Sequence, residues 1–215
     1  MVFKHLRSKL IVLVKMFSTL VLYFSTCNNL VNNGNQQERL VDNSNSNSGA
    51  KKYWLGGFAE GEGSVSASVK IHSDFRFGVN VQPEFGVTQH ENGKHILAEF
   101  KDLFDGKGSL HLKPGSQNVW EFKLSGLTNL IDHVLPFYLK YVLPFSGKVK
   151  EFNTFLEILE RKQRKEHFTQ KGLIDMVKLA YTLNTEGKGK IRKRTLEEVV
   201  AIIRDKDAYF ANPNN

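Results

Sequence analysis

One cysteine, Cys27, stands in a chain of 215 residues. That excludes an intramolecular disulfide framework and any zinc cluster built on cysteine, and it points to a reducing or cysteine-indifferent compartment. The seven histidines show no metal-ligand spacing and read as surface or strand residues. Acids are in short supply: 22 Asp and Glu against 30 Lys and Arg leave a net charge of +8. Such an excess favours a polyanionic partner, either nucleic acid or an anionic membrane surface. A long unbroken hydrophobic run is also missing. The run from Leu10 to Tyr23 is interrupted by Lys15, Ser18 and Thr19, and it is short for a span of about 20 residues.

The first 27 residues carry Lys4, Arg7, Lys9 and Lys15 and no acid. A targeting presequence, a membrane-associated helix and translated upstream sequence are three readings that stay open for them; no stable membrane partner is expected. Residues 28–50 are rich in Asn and Ser and read as a linker. Residues 1–50 are therefore expected to be an N-terminal extension, and residues 51–210 a single folded domain. Phenylalanine and aliphatic residues are plentiful there, enough for a real core.

The stretch Tyr53-Trp54-Leu55-Gly56-Gly57-Phe58-Ala59-Glu60-Gly61-Glu62-Gly63-Ser64 reads as a short apolar helix ending in carboxylates. Each helical glycine costs on the order of 1 kcal/mol relative to alanine, so Gly56, Gly57 and Gly61 together need a reason. Close approach of a second helix supplies one. Glu60 and Glu62 meet the negative end of the helix dipole and repel each other, two penalties that a bound cation removes.

Residues 65–72 alternate strictly, with Val65, Ala67, Val69 and Ile71 on one face and Ser66, Ser68, Lys70 and His72 on the other, the pattern of a half-buried antiparallel strand. A second strand is expected over 76–88, turning Phe77, Val79, Val81, Phe85 and Val87 inward and Arg76, Asn80, Gln82, Glu84 and Thr88 outward. Pro83 marks a bulge or a ladder position without a hydrogen bond. Helical spacing over 91–104 gives way at Gly106 and Gly108. A hairpin around Pro114-Gly115-Ser116 follows, with Leu110, Leu112, Trp120, Phe122 and Leu124 inward and His111, Lys113, Glu121 and Lys123 outward. Helices are expected over 128–141 and 148–164, over 170–183 capped by Thr169, and over 196–204 capped by Thr195. The order is α-β-β-α-β-β-α with further helices behind it, an α+β domain whose sheet has one polar face.

That order, with Leu55 to Gly63, resembles the LAGLIDADG homing endonucleases, whose nine-letter motif these residues match in residue class. Phe85-Gly86-Val87-Thr88-Gln89 is similar to the family's second-strand ending with its active-site glutamine. Leu143-Pro144-Phe145-Ser146-Gly147-Lys148-Val149-Lys150 is similar to the segment carrying its active-site lysine. The tail from Thr169 to Asn184 and from Lys188 to Arg194 is family-like as well. The resemblance covers about residues 51–209. It departs from the commonest form in having Glu60 and Glu62 where aspartate is more usual. Gly172-Leu173-Ile174-Asp175 spells part of a second motif but lacks the paired acid and glycine. One motif per chain implies a homodimer.

The resemblance implies an αββαββα domain with an antiparallel, saddle-shaped sheet and extra C-terminal helices. It implies a site-specific endonuclease that makes double-strand breaks in DNA at a long pseudo-palindromic target, in the service of intron homing. Gly57, Gly61 and Glu60 would lie at the dimer interface. Glu62, with Gly61, would hold Mg²⁺, two or three divalent ions per dimer site, with Mn²⁺ or Ca²⁺ able to substitute. Gln89 would order water, and Lys148 would stabilise charge on the phosphate or help activate water. Base edges would be read by Ser66, Ser68, Lys70, His72, Arg76, Asn80, Gln82, His111, Lys113, Glu121 and Lys123, while Lys190 and Arg192, with Lys193 and Arg194, would contact phosphates.

Two other readings are weighed. Some family members bind intron RNA and act as maturases, with or without DNA cleavage. Pro83-Glu84 followed by Glu121-Phe122-Lys123 mimics a restriction-type nuclease signature but leaves the glycine helix unexplained. Frequent Asn, Lys and Phe suggest an AT-rich coding genome, hence a mitochondrion, with the chloroplast as the alternative.

Overall fold

Four strands, β1 (Gly63–Ile71), β2 (Val79–His90), β3 (Ser109–Leu112) and β4 (Val119–Ser125), form one antiparallel sheet in the order β1-β2-β4-β3. The structure is a computed structural model that describes residues 46–183 and 193–211. The chain divides into two units, residues 1–47 and 48–215, and the sheet and its helices belong to the second. The expected extension up to Asn45, and the loop residues Lys190 and Arg192, lie outside the described residues. No helix among the described residues is long and apolar enough to cross a membrane.

The alternation read in the sequence holds across the sheet. Val65, Ala67, Val79, Val81, Phe85, Val87, Phe122 and Leu124 are all buried on one face. Two local expectations fail. The second strand starts at Val79, because residues 73–78 form a turn in which His72 N–H donates to the Gly78 carbonyl at 3.0 Å. Leu112, expected inward, is exposed at the very end of β3. Pro83 makes no bulge: the β1–β2 register runs unbroken through Ala67↔Pro83. The β2–β4 register begins only at Glu84, so the β4 side of Pro83 has no ladder, and its missing N–H costs nothing there.

Helices cover the apolar face. α1 (Ser46–Glu62) leads directly into β1, and α2 (Lys94–Leu103) follows β2 through a short 3₁₀ turn, Glu91–Gly93. A long helical segment, α3, spans residues 127–145. It is not the plain helix expected over 128–141, because Leu130–Val134 and Tyr138–Val142 are π-helical and Leu143–Phe145 is 3₁₀. Behind come α4 (Val149–Gln163), α5 (Gln170–Thr182), α6 (Leu196–Arg204) and α7 (Lys206–Ala211). Thr169 caps α5 by accepting from the Gly172 N–H, and Thr195 caps α6 in a reciprocal capping box with Glu198. Both caps are the ones the sequence predicts. Gly172-Leu173-Ile174-Asp175 thus opens a helix, whereas Leu55–Gly63 closes one.

An aromatic cluster anchors helices to sheet. Phe85 lies 5.8 Å from Phe104, 6.1 Å from Phe100, 6.3 Å from Phe122 and 5.7 Å from Tyr138, centroid to centroid. Each such ring removes 150–250 Å² from water. α1 joins through Leu55 and Ala59, both buried, and through Gly56, where a methyl group would stand 2.2 Å from the Tyr141 carbonyl oxygen. Gly57 and Gly61 meet nothing within 4 Å. The glycines therefore serve different ends: Gly56 is spent inside the chain, and the other two leave a bare outer face. Gly56→Ala should destabilise the fold by roughly 1–3 kcal/mol through overpacking, seen as a lower thermal midpoint, whereas Gly57→Ala should leave the isolated fold intact.

Candidate functional site

The C-terminal turn of α1 is held by the loop between α3 and α4. The Glu60 carboxylate accepts from Ser146 Oγ at 2.6 Å and from the Gly147 N–H at 3.1 Å. Ser146 Oγ in turn accepts from the Lys148 N–H at 2.8 Å. Lys148 Nζ donates to the Glu60 carbonyl, with a longer contact of 3.4 Å to the Gly63 carbonyl. Those carbonyls belong to the negative end of α1, where an ammonium is welcome. Tyr138 packs beneath this turn; burial pushes its hydroxyl pKa up, and the negative charge of Glu60 adds to the rise.

Glu62 is different. Its carboxylate is exposed and has no hydrogen-bond or ion-pair partner among the described residues. It lies between the two carbonyls that receive Lys148. The two acids of the motif thus part company: Glu60 is tied within the chain, and Glu62 is available. Gly61 is exposed beside it.

Gln89 reaches the same end of the sheet. Gly63 faces Val87 in the register, so the part of β2 beyond Val87 lies where α1 hands over to β1. Gln89 Oε1 accepts from the His90 N–H at 2.8 Å, which leaves the amide NH₂ as the free, donating end. Next to it in the ladder, Trp120 opposes Gln89 and carries Lys94 Nζ over its ring, 3.2 Å from the centroid. The fold therefore brings Glu62, Lys148 and Gln89, distant in sequence, to one end of the sheet.

The outward face is one continuous polar surface. Register pairs Lys70 with Asn80, Ser68 with Gln82 and Ser66 with Glu84, then Thr88 with Glu121 and Gly86 with Lys123, and finally His111 with Glu121. His72 and Arg76, expected on strands, instead sit in the turn at its margin, where Arg76 stacks on Phe77. Lys113 lies just past β3, its N–H donating to the Val119 carbonyl at 2.7 Å. Near the centre, Lys123 Nζ lies 3.6 Å from Glu84 and 3.7 Å from Glu121, and His111 Nε2 lies 3.2 Å from Glu121. The residues of the restriction-type signature do meet there, but each carboxylate is engaged by a cation. Among the described residues no group of three or more His, Cys, Asp and Glu is placed to hold a metal ion.

Sequence reasoning missed Ser146 and Lys162. Ser146 stood in the lysine-bearing segment with no signal beyond being a hydroxyl next to glycine. Lys162 fell within the helix expected over 148–164 with nothing in the sequence to set it apart. Replacing Glu60 by Ala removes both bonds to the loop, at a cost of about 1 kcal/mol, since water can reach the exposed Gly147 N–H. Thermal melting should show that loss, and hydrogen exchange should quicken at the Gly147 and Lys148 amides. Unchanged exchange there would mean that Glu60 does not hold the loop.

Comparison with known proteins shows the family. The LAGLIDADG endonuclease family profile matches residues 55–159. The chain is 33% identical over 152 residues to a homing endonuclease, I-ApeII, of Aeropyrum pernix, covering 70% of this chain and 88% of that one. It is 35% identical over 128 residues to the DNA endonuclease I-CeuI of Chlamydomonas moewusii, covering 59% of this chain and 58% of that relative's length. The solved structure of I-CeuI complexed with DNA superposes with a TM-score of 0.67 at 28% identity, covering 78% of this chain and 80% of that one. An archaeal intron-encoded homing endonuclease complexed with DNA gives 0.66 at 32% identity, covering 75% and 99%. With its glycine-bearing helix, its antiparallel sheet and its acid at the helix end, the chain belongs to the LAGLIDADG homing endonuclease family.

Proposed function

We propose that this protein is a site-specific DNA endonuclease that works as a homodimer and hydrolyses phosphodiesters with divalent metal ions, Mg²⁺ first among them. The observation that carries the reading is the exposed Glu62 carboxylate at the end of α1, unpartnered among the described residues, with Lys148 anchored on the carbonyls of Glu60 and Gly63 to either side of it in the chain. A carboxylate oxygen suits a hard cation, and the carbonyls of the helix end add negative potential. One chain offers one such acid, too few for a metal cage. A second copy, packed through α1, would double it.

The outer face of α1 supports that packing. Trp54 is 54% exposed, and with Gly57 and Gly61 it forms a stripe at helical spacing. Open space over both glycines lets two helix backbones approach closely. Phe145, 77% exposed at the neighbouring end of α3, adds apolar surface. A twofold dimer reads a target with matching pseudo-palindromy.

The divalent ions, when bound, would polarise the scissile phosphate and lower the pKa of a bound water. The chain's own residues have separate tasks. Glu62 would hold the cation. Lys148, already sharing two of its donors with carbonyls, would direct the remaining one towards phosphate oxygen. Gln89 would donate from its free amide end to water or phosphate. The outward sheet face would enter the major groove, strands being slim enough for it. Richness in Asn, Lys and Phe supports an organellar gene, with the mitochondrion ahead of the chloroplast.

Glu62→Gln should lower Mg²⁺-dependent cleavage at least about a hundredfold while leaving DNA binding in place; undiminished cutting would remove Glu62 from the site. A wild-type protein that never cuts, yet is required for splicing of its intron, would favour the RNA-binding reading. Gly57→Leu should give a folded monomer by sedimentation, with cleavage lost. A stable dimer of that variant would move the interface elsewhere.

A further inference from the structure

Lys162 lies near the C-terminal end of α4, yet its head reaches the margin of the sheet. Its Nζ donates to the Val81 carbonyl and to Oδ1 of Asn80, the latter at 3.3 Å. Space for it exists because β4 pairs with β2 only from Glu84 onward, which leaves the edge from Val79 to Pro83 open. The side chain is half-buried, and burial lowers its pKa. An ammonium so short of water depends on these oxygens for its solvation.

The consequence falls on Asn80. A lysine ammonium donates and cannot accept, so chemistry decides which end of the asparagine faces it, an assignment usually ambiguous. The oxygen is held, and the NH₂ group is the end left free. Asn80 pairs with Lys70 across the ladder and lies on the outward polar face. An asparagine reading adenine uses both ends at once, accepting from N6 and donating to N7. With its oxygen turned onto the ammonium and one lone pair engaged there, the end it offers first to a base edge is the donating NH₂.

We propose that Lys162 is a positioning residue that turns the NH₂ of Asn80 towards the DNA, so that one position of each half-site favours guanine or thymine over adenine, whose N7 acceptor stands beside the N6 amine. The proposal rests on the nuclease reading above. It gives Lys162 a role in specificity although it is not itself on the reading face.

The test is to profile target selection by the full-length protein on a DNA library randomised across the half-site, with melting curves run alongside. Lys162→Met keeps the stem, frees the Asn80 oxygen and should shift preference towards adenine at one position per half-site, by about fivefold or more. Lys162→Arg should retain the wild-type profile. Asn80→Asp, which removes the donating end without touching Lys162, should abolish the guanine or thymine preference at the same position. In an Asn80→Ala background, Lys162→Met should change nothing further. Uniform weakening across all sequences, with the salt slope of binding reduced by about one, would make Lys162 a phosphate contact and overturn the proposal. So would an unchanged profile for Lys162→Met and Asn80→Asp. A wild-type protein that selects no target would overturn the nuclease reading and this inference together, whereas a selective wild type with insensitive variants overturns the inference alone.

Discussion

The contact between the last turn of α1 and the loop at 146–148 governs how the site is assembled. Glu60 receives the Ser146 hydroxyl and the Gly147 N–H, and Lys148 returns its ammonium to the carbonyls at the helix end. Each half of this clasp meets a need of the other. A helix C-terminus has unsatisfied carbonyls and a negative pole, and the loop has an N–H and a hydroxyl that gain a charged acceptor. Satisfying them mutually holds Lys148 on the carbonyls either side of Glu62 in the chain. Gly56 makes this possible by letting α1 press against the Tyr141 backbone, which sets the depth at which the clasp closes.

The same helix has a second surface with opposite properties. Its inner side is filled by Leu55, Gly56 and Ala59, all buried, and its outer side is bare at Gly57 and Gly61. A lone chain gains little from those two glycines, which lower helix propensity without any contact in return. Their open setting agrees with a role between molecules rather than within one.

The polar sheet face has internal order of its own. Glu84, Glu121, Lys123 and His111 form a charge-paired patch near its middle, and Asn80 is held from behind by Lys162. Side chains ordered before a partner arrives have less rotamer freedom to lose on binding. The face therefore presents ordered donors and acceptors, and the paired carboxylates keep its centre from being uniformly basic.

Much of this was legible beforehand. Alternation at residues 65–71 and 79–87 is a period-two signal that backbone geometry imposes, so the strands and their inward residues could be read directly. Thr169 and Thr195 announce helix starts because their oxygens reach nearby N–H groups, a purely local interaction. Glu62, Gln89 and Lys148 could be singled out as candidates because their short motifs resemble a family's. Limits appeared wherever distant parts of the chain meet. Glu60 and Glu62 look alike in sequence, and only the arrival of the 146–148 loop separates a tied acid from an available one. Gly56 and Gly57 are neighbours of one type, yet the Tyr141 carbonyl makes one of them indispensable to packing. His72 and Arg76 continued the polar pattern but fell into a turn, because the backbone closes from His72 to Gly78 before β2 begins. Sequence by itself determined the elements, their caps and their faces, since those depend on interactions between near neighbours. Tertiary structure alone decided which equivalent-looking residues pair, position or remain free, since that depends on contacts between segments that no local pattern records.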